Sequence, residues 1–186
     1  MKYLREHIKE VLTEYNQTLE FRGTYNYEDL GVEPIYRGLV LTVPYYLSRE
    51  VRKLFKFGLY SEEWDNLKGT EFTEREIAES FINSLQGRSA GIYWTKAARI
   101  AGSFAKPESA KPRSHTYSVV FQAMPTDVGF MPDEGMIFWD EAEWRQPKGT
   151  MLDIIGVSIF MPASKDEEGE WKILWANKSN PIKVAA

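Results

Sequence analysis

Arg37 stands in Ile35-Tyr36-Arg37-Gly38, among apolar neighbours and directly before a glycine. In an extended segment it shares a face with Ile35 and Leu39, and an arginine buried on that face needs an anionic partner. Its planar fork matches a phosphate or an internal carboxylate, so a ligand grip and a structural ion pair both stand. Gly38 would let a ligand come close to the backbone. Tyr93-Trp94-Thr95 is the second piece, placed just before a helical stretch. The Thr95 hydroxyl either caps that helix or meets a ligand flanked by an aromatic ring, and the two roles are compatible. Glu141-Ala142-Glu143 is the third. A spacing of two in extended chain puts both carboxylates on one face. They can oppose a developing positive charge, take a proton from a nucleophile, or simply form a solvated acidic edge.

The apolar pattern predicts the elements that must position these residues. Leu4, Ile8, Val11, Leu12, Tyr15 and Leu19 recur at helical spacing and predict a packing helix in a helical N-terminal part of about residues 1–34. Residues 35–43 read as a strand ended by Pro44, and a helix is expected near 48–57. Residues 61–71 read as a polar connection. Thr73 and Glu76 form a capping-box pattern ahead of an apolar face of Ile77, Phe81, Ile82 and Leu85, with Gly87 as the stop. Another helix should begin just after Thr95, with Ala98, Ala101 and Phe104 inward, followed by an exposed loop at 106–114. Residues 117–124, 136–139, 151–160 and 171–176 read as strands separated by prolines and glycines. Residues 166–170 read as a hairpin turn, and the tail after Asn180 as a frayed end. Helices first and strands later predict one α+β domain over 1–186 with a mostly antiparallel sheet.

Composition narrows the function classes. With 186 residues, 43% of them hydrophobic, the chain has ample material for one core. A formal net charge of -4 argues against a broad electrostatic grip on nucleic acid, while leaving room for a local basic patch. The absence of cysteine removes disulfides, thiolate catalysis and cysteine-based zinc sites, and fits a cytoplasmic protein. His7 and His115 are too few for a histidine-built metal centre, so no metal is expected. Lys2, Arg5, Glu6, Lys9 and Glu10 are unlike a signal peptide, and no apolar run is long enough to cross a bilayer, so no membrane partner is expected. A Walker loop, a Rossmann fingerprint and a nucleophile elbow are all absent from the sequence.

In their order, the three pieces resemble the mono-ADP-ribosyltransferases of the arginine–serine–glutamate class, found among bacterial toxins and bacteriophage enzymes. Ile35-Tyr36-Arg37-Gly38 looks like the family's first core strand. Gly91-Ile92-Tyr93-Trp94-Thr95 looks like its second motif, leading to Ala101-Gly102-Ser103-Phe104-Ala105, which is similar to the family's Ala-x-x-Phe-Ala helix end. Glu141-Ala142-Glu143 resembles the Glu-x-Glu element, followed by a Pro147-Lys148-Gly149-Thr150 turn. The resemblance spans roughly residues 35–160. One departure is that Tyr93-Trp94-Thr95 stands where the family has Ser-Thr-Ser, so that only Thr95 keeps a hydroxyl of that kind.

The resemblance implies a split antiparallel β core with N-terminal helices, and a reaction on NAD as co-substrate. It implies that Arg37 holds the phosphates, with Gly38, Tyr93, Trp94, Thr95 and Phe104 forming the rest of the NAD site. It implies Glu143 as the catalytic glutamate at the forming sugar cation, and Glu141 as the residue that orients or deprotonates the acceptor. The acceptor it implies is arginine on a host or target protein, with nucleic acid as the lesser alternative. An NAD glycohydrolase and a non-catalytic interaction module are the competing readings.

Overall fold

The computed structural model describes residues 34–57, 71–86, 92–125, 131–132, 143–146, 149–163 and 168–185. The expected opening helix, the strand at 136–139, Gly87, Glu141 and the first two residues of the turn at 166–170 lie outside the described residues. Among the described residues the fold is mixed α+β, built on one antiparallel sheet of eight strands.

Strand β1 (Ile35–Thr42) is central and alternates between two layers. Ile35 and Leu41, with Val43 beyond, join the main core, while Tyr36 packs in a smaller cluster on the other face. Helix α1 (Tyr45–Phe55) begins immediately after Pro44, three residues earlier than the apolar periodicity suggested. Proline is suited to a helix start, where its missing N–H costs nothing. Tyr45 and Tyr46 are exposed, so they added nothing to the periodic signal. Leu47 and Val51 carry the buried face, and Lys56 ends the helix in a left-handed conformation, its N–H donating to the Lys53 carbonyl.

Helix α2 (Glu74–Gln86) starts with the predicted capping box. The Thr73 N–H donates to Glu76 Oε2 at 2.7 Å, and the Glu76 N–H donates to Thr73 Oγ1 at 3.3 Å. The Thr73 N–H first, and then the Thr73 hydroxyl, which donates to the same Oε2 at 2.8 Å, hold the Glu76 carboxyl below its ordinary range. Ile77, Phe81, Ile82 and Leu85 are buried in the main core with α1.

Strand β2 (Ile92–Thr95) leads into the short helix α3 (Ala98–Phe104), which lies on the opposite face from α1 and α2. A Cβ on Gly38 would sit 1.6 Å from the Ala101 carbonyl oxygen and 2.8 Å from the Ala105 nitrogen. The backbone of α3 therefore rests directly on β1, and the close approach that Gly38 allows is, on this face, that of a helix. Gly38→Ala should destabilise the fold by about 3 kcal/mol or more, because the clash is with backbone that cannot rotate away. Urea denaturation measures this, and an unchanged midpoint would mean that α3 lifts freely from β1.

The segment expected to be an exposed loop holds two short 3-10 turns, Pro107–Ser109 and Pro112–Ser114, whose prolines are buried. The Ser48 hydroxyl donates to the Pro112 carbonyl at 2.9 Å and shares a 2.8 Å hydrogen bond with the Tyr117 hydroxyl. Burial pushes the Tyr117 hydroxyl up to about 12, against the opposing pull of Ser48 and Arg52. The folded state thus favours the neutral phenol. Its contribution to stability is complete below the ordinary phenol range near pH 10 and is lost as pH rises through about 12. Denaturation measured across this alkaline window should show the loss. Tyr117→Phe should flatten it, at a cost of about 1 kcal/mol at neutral pH for the lost hydrogen bonds.

Strand β3 (Thr116–Pro125) pairs with the whole length of β1, from Ile35↔Ala123 to Thr42↔Thr116. Short strands β4 (Met131–Pro132) and β5 (Glu143–Gln146) extend the other side, giving the order β4-β5-β2-β1-β3. Gly149, at φ 84, turns the chain toward β6 (Met151–Met161), which pairs with β3. The far edge of β6 is shared by β7 (Glu170–Ala176) and β8 (Ile182–Ala185). The tail is thus a strand and not a frayed end. Ile182 and Val184 turn toward the protein while Lys183 and Ala185 stay exposed, and Leu152↔Val184 brings the tail onto β6. This period-2 stripe is what an open strand edge needs.

Candidate functional site

The β1–β2 junction is far shorter than its neighbours. The two strands meet at Tyr36↔Thr95, whereas β1 runs beside β3 for eight residues and β2 beside β5 for four. At this parting lies a cleft of about 310 Å³, lined by Tyr36, Arg37, Gly38, Leu39, Trp94, Thr95 and Phe104. That volume is at the lower end for small-molecule sites, roughly 300–1,000 Å³.

Strand β1 supplies the cation. Arg37 follows the residue paired with Thr95, is half-buried, and has its Nη1 atom sealed from solvent. Strand β2 supplies the hydroxyl. Thr95 is 3% exposed, and its Oγ1 accepts the Ala97 N–H at 3.0 Å as the chain turns into α3. Thr95 therefore stitches the helix entry and lines the cleft at once. Trp94, 2% exposed, belongs to the main core and forms part of the cleft wall.

Phe104 was expected to face inward, yet it is 49% exposed at the end of α3. The inward stripe of this helix is Ala98, Ala101 and Ala105, and only small side chains fit where α3 lies on Gly38. Phe104 falls off that stripe and reaches the cleft from its rim. Tyr36 and Leu39 line the cleft without having been singled out in the sequence. Tyr36 is buried, and its position beside Arg37 in the same tetrapeptide was the available signal.

The register extends the site sideways. Glu143 pairs with Thr95, Thr95 with Tyr36, and Tyr36 with Gln122, so these four form one row across β5, β2, β1 and β3. Two strand spacings put the Glu143 backbone roughly 10 Å from that of Tyr36. Tyr93 is paired with Arg145 in the same ladder. The side chains of Tyr93 and Glu143, like all of Glu141, lie outside the described residues. Arg37, Gly38, Trp94, Thr95 and Phe104 thus share one cleft, and the Glu143 backbone lies on the second strand from β1.

A half-buried guanidinium, a fixed hydroxyl and aromatic walls suit an anionic molecule that carries a flat ring. Among the described residues no group of three or more His, Asp or Glu could hold a metal ion, and no helix is long and apolar enough to cross a membrane. No protein-family model, curated protein or solved structure matches the chain.

Proposed function

We propose that this cleft binds NAD, that the protein breaks the nicotinamide–ribose bond, and that ADP-ribose passes to a macromolecular acceptor. The observation that carries the reading is the meeting of Arg37 and Thr95 at one cleft, in a register that continues to Glu143. On this reading the core is ADP-ribosyltransferase-like, its two halves parting beside the brief β1–β2 junction at Tyr36↔Thr95. The residues present suit the co-substrate: a cation for its diphosphate, aromatic walls for its nicotinamide ring, and a hydroxyl for its ribose.

Each residue then has a stated task. The Arg37 fork holds phosphate oxygens. Trp94, Tyr36 and Phe104 surround the ring and exclude water. Thr95, its hydroxyl fixed by the Ala97 N–H, supports the ribose beside the ring. The Glu143 carboxylate opposes the positive charge that grows on the sugar as the C–N bond lengthens. The bonding pair leaves with nicotinamide, which departs neutral. The acceptor nucleophile bonds to the anomeric carbon and gives its proton to Glu141. Arginine on a target protein is the acceptor this pair of glutamates suits best.

NAD should raise the thermal midpoint, since a ligand that binds only the folded state stabilises it by mass action. A flat midpoint at millimolar NAD, with titration calorimetry also silent, would overturn the assignment.

A further inference from the structure

We propose that a second surface, a basic strip flanked by exposed aromatic rings, binds single-stranded nucleic acid. This goes beyond the NAD reading and does not depend on it. Residues 96–115 contain Lys96, Arg99, Lys106, Lys111 and Arg113 against Glu108 alone, and residues 44–57 contain Arg49, Arg52, Lys53 and Lys56 against Glu50 alone. Arg52 is buried and Lys53 is paired with Glu50 at 2.8 Å, so Arg49 and Lys56 carry the exposed charge of the second stretch, in a chain whose net charge is -4. Arg49, Arg99, Lys106, Lys111 and Arg113 are all exposed.

The two stretches adjoin in space. The Val43 N–H donates to the His115 carbonyl at 2.9 Å, the Ser48 hydroxyl reaches the Pro112 carbonyl, and the Tyr45 and His115 rings lie 5.2 Å apart. The strip is firmly held: Lys111 and Thr116 exchange backbone hydrogen bonds of 2.8 and 3.2 Å, and the Ser118 hydroxyl donates to the Lys106 carbonyl at 3.0 Å. It runs from α3 around the Thr42–Thr116 end of the sheet to α1. Aromatic rings stand at both ends. Tyr45 and Tyr46 are 58% and 55% exposed on the first turn of α1, and Phe104 is exposed where α3 meets the cleft.

The shape selects the partner. Helices α1 and α3 lie on opposite faces of the sheet, so a flat membrane cannot meet both, and a stiff duplex cannot follow the turn. A flexible single strand can wrap it, setting phosphates against the cations and bases on the rings. An acidic peptide would use the charges but gain little from the tyrosines.

The test is fluorescence anisotropy with a labelled single-stranded RNA of mixed sequence, about 20 nucleotides long, beside labelled polyglutamate and without NAD. The RNA should bind at low salt, and its affinity should fall linearly on a log–log plot as salt rises, with a slope of about −0.7 per phosphate neutralised. Lys106→Glu with Lys111→Glu should weaken it more than tenfold, and Arg49→Glu should do so independently from α1. Tyr45→Ala with Tyr46→Ala should weaken RNA about tenfold while leaving polyglutamate unchanged. Circular dichroism confirms that each variant is folded. Absence of RNA binding at low salt, indifference to the charge reversals in folded variants, or polyglutamate binding as tight as RNA would overturn the proposal.

Discussion

Glu143→Gln should lower nicotinamide release from NAD by on the order of 10²-fold or more, and lower transfer of ADP-ribose equally. The substitution keeps the size of the side chain and removes its charge. On the proposed reaction, positive charge appears on the ribose only as the glycosidic bond breaks. A carboxylate beside it therefore stabilises the transition state much more than the bound substrate, and its loss falls on kcat rather than on NAD binding. The pairing of Glu143 with Thr95 places this residue in the row that borders the cleft. Glu141→Gln is the matching contrast. It leaves the charge of Glu143 in place, so it should impair transfer while nicotinamide release continues at much of its rate. Release and labelled acceptor measured in the same reactions separate the two. Full transfer activity in Glu143→Gln would reject the mechanism, and equal loss of both activities in Glu141→Gln would reject the division of labour.

Arg37→Ala should remove most of the thermal shift that NAD produces and weaken binding more than tenfold, in line with roughly 1.5–3 kcal/mol for a charged hydrogen-bonding group. Arg37 is half-buried on the cleft wall, so water competes with a phosphate less there than at an open surface. Arg37→Lys is the informative companion. It keeps the charge and loses the planar fork, so it should recover part of the affinity if phosphate oxygens are gripped by two nitrogens. Titration calorimetry reads both variants. Unchanged NAD affinity in Arg37→Ala would return this arginine to a purely structural role.

What could be read from the sequence was mostly what is local. The capping box of α2 was legible because Thr73 and Glu76 lie within one helical turn, and the apolar face behind it repeats cleanly. Strand β1 was legible from its β-type residues and the proline that follows it. The start of α1 was misplaced because its first two residues point away from the core and carry no periodic signal. The tail was misread because β8 exists only through its pairing with β6, a partner some thirty residues earlier in the chain. Gly38 illustrates a deeper limit. A glycine announces that something comes close, but only the fold says that on one face it is the backbone of α3. Phe104 followed from the same packing, since a helix pressed onto β1 admits alanines on its inner stripe and turns the phenylalanine to the rim. Arg37 and Thr95 could be named from their contexts, but the single-pair junction that brings them to one cleft has no local signature.

The most direct test of the account is to incubate the protein with NAD labelled in its adenylate half, together with a whole-cell lysate, and to follow nicotinamide and label at once. Nicotinamide should appear, label should become covalently attached to protein, and both should depend on Arg37 and Glu143. No nicotinamide above the protein-free control, or release that persists unchanged in Glu143→Gln, would contradict it.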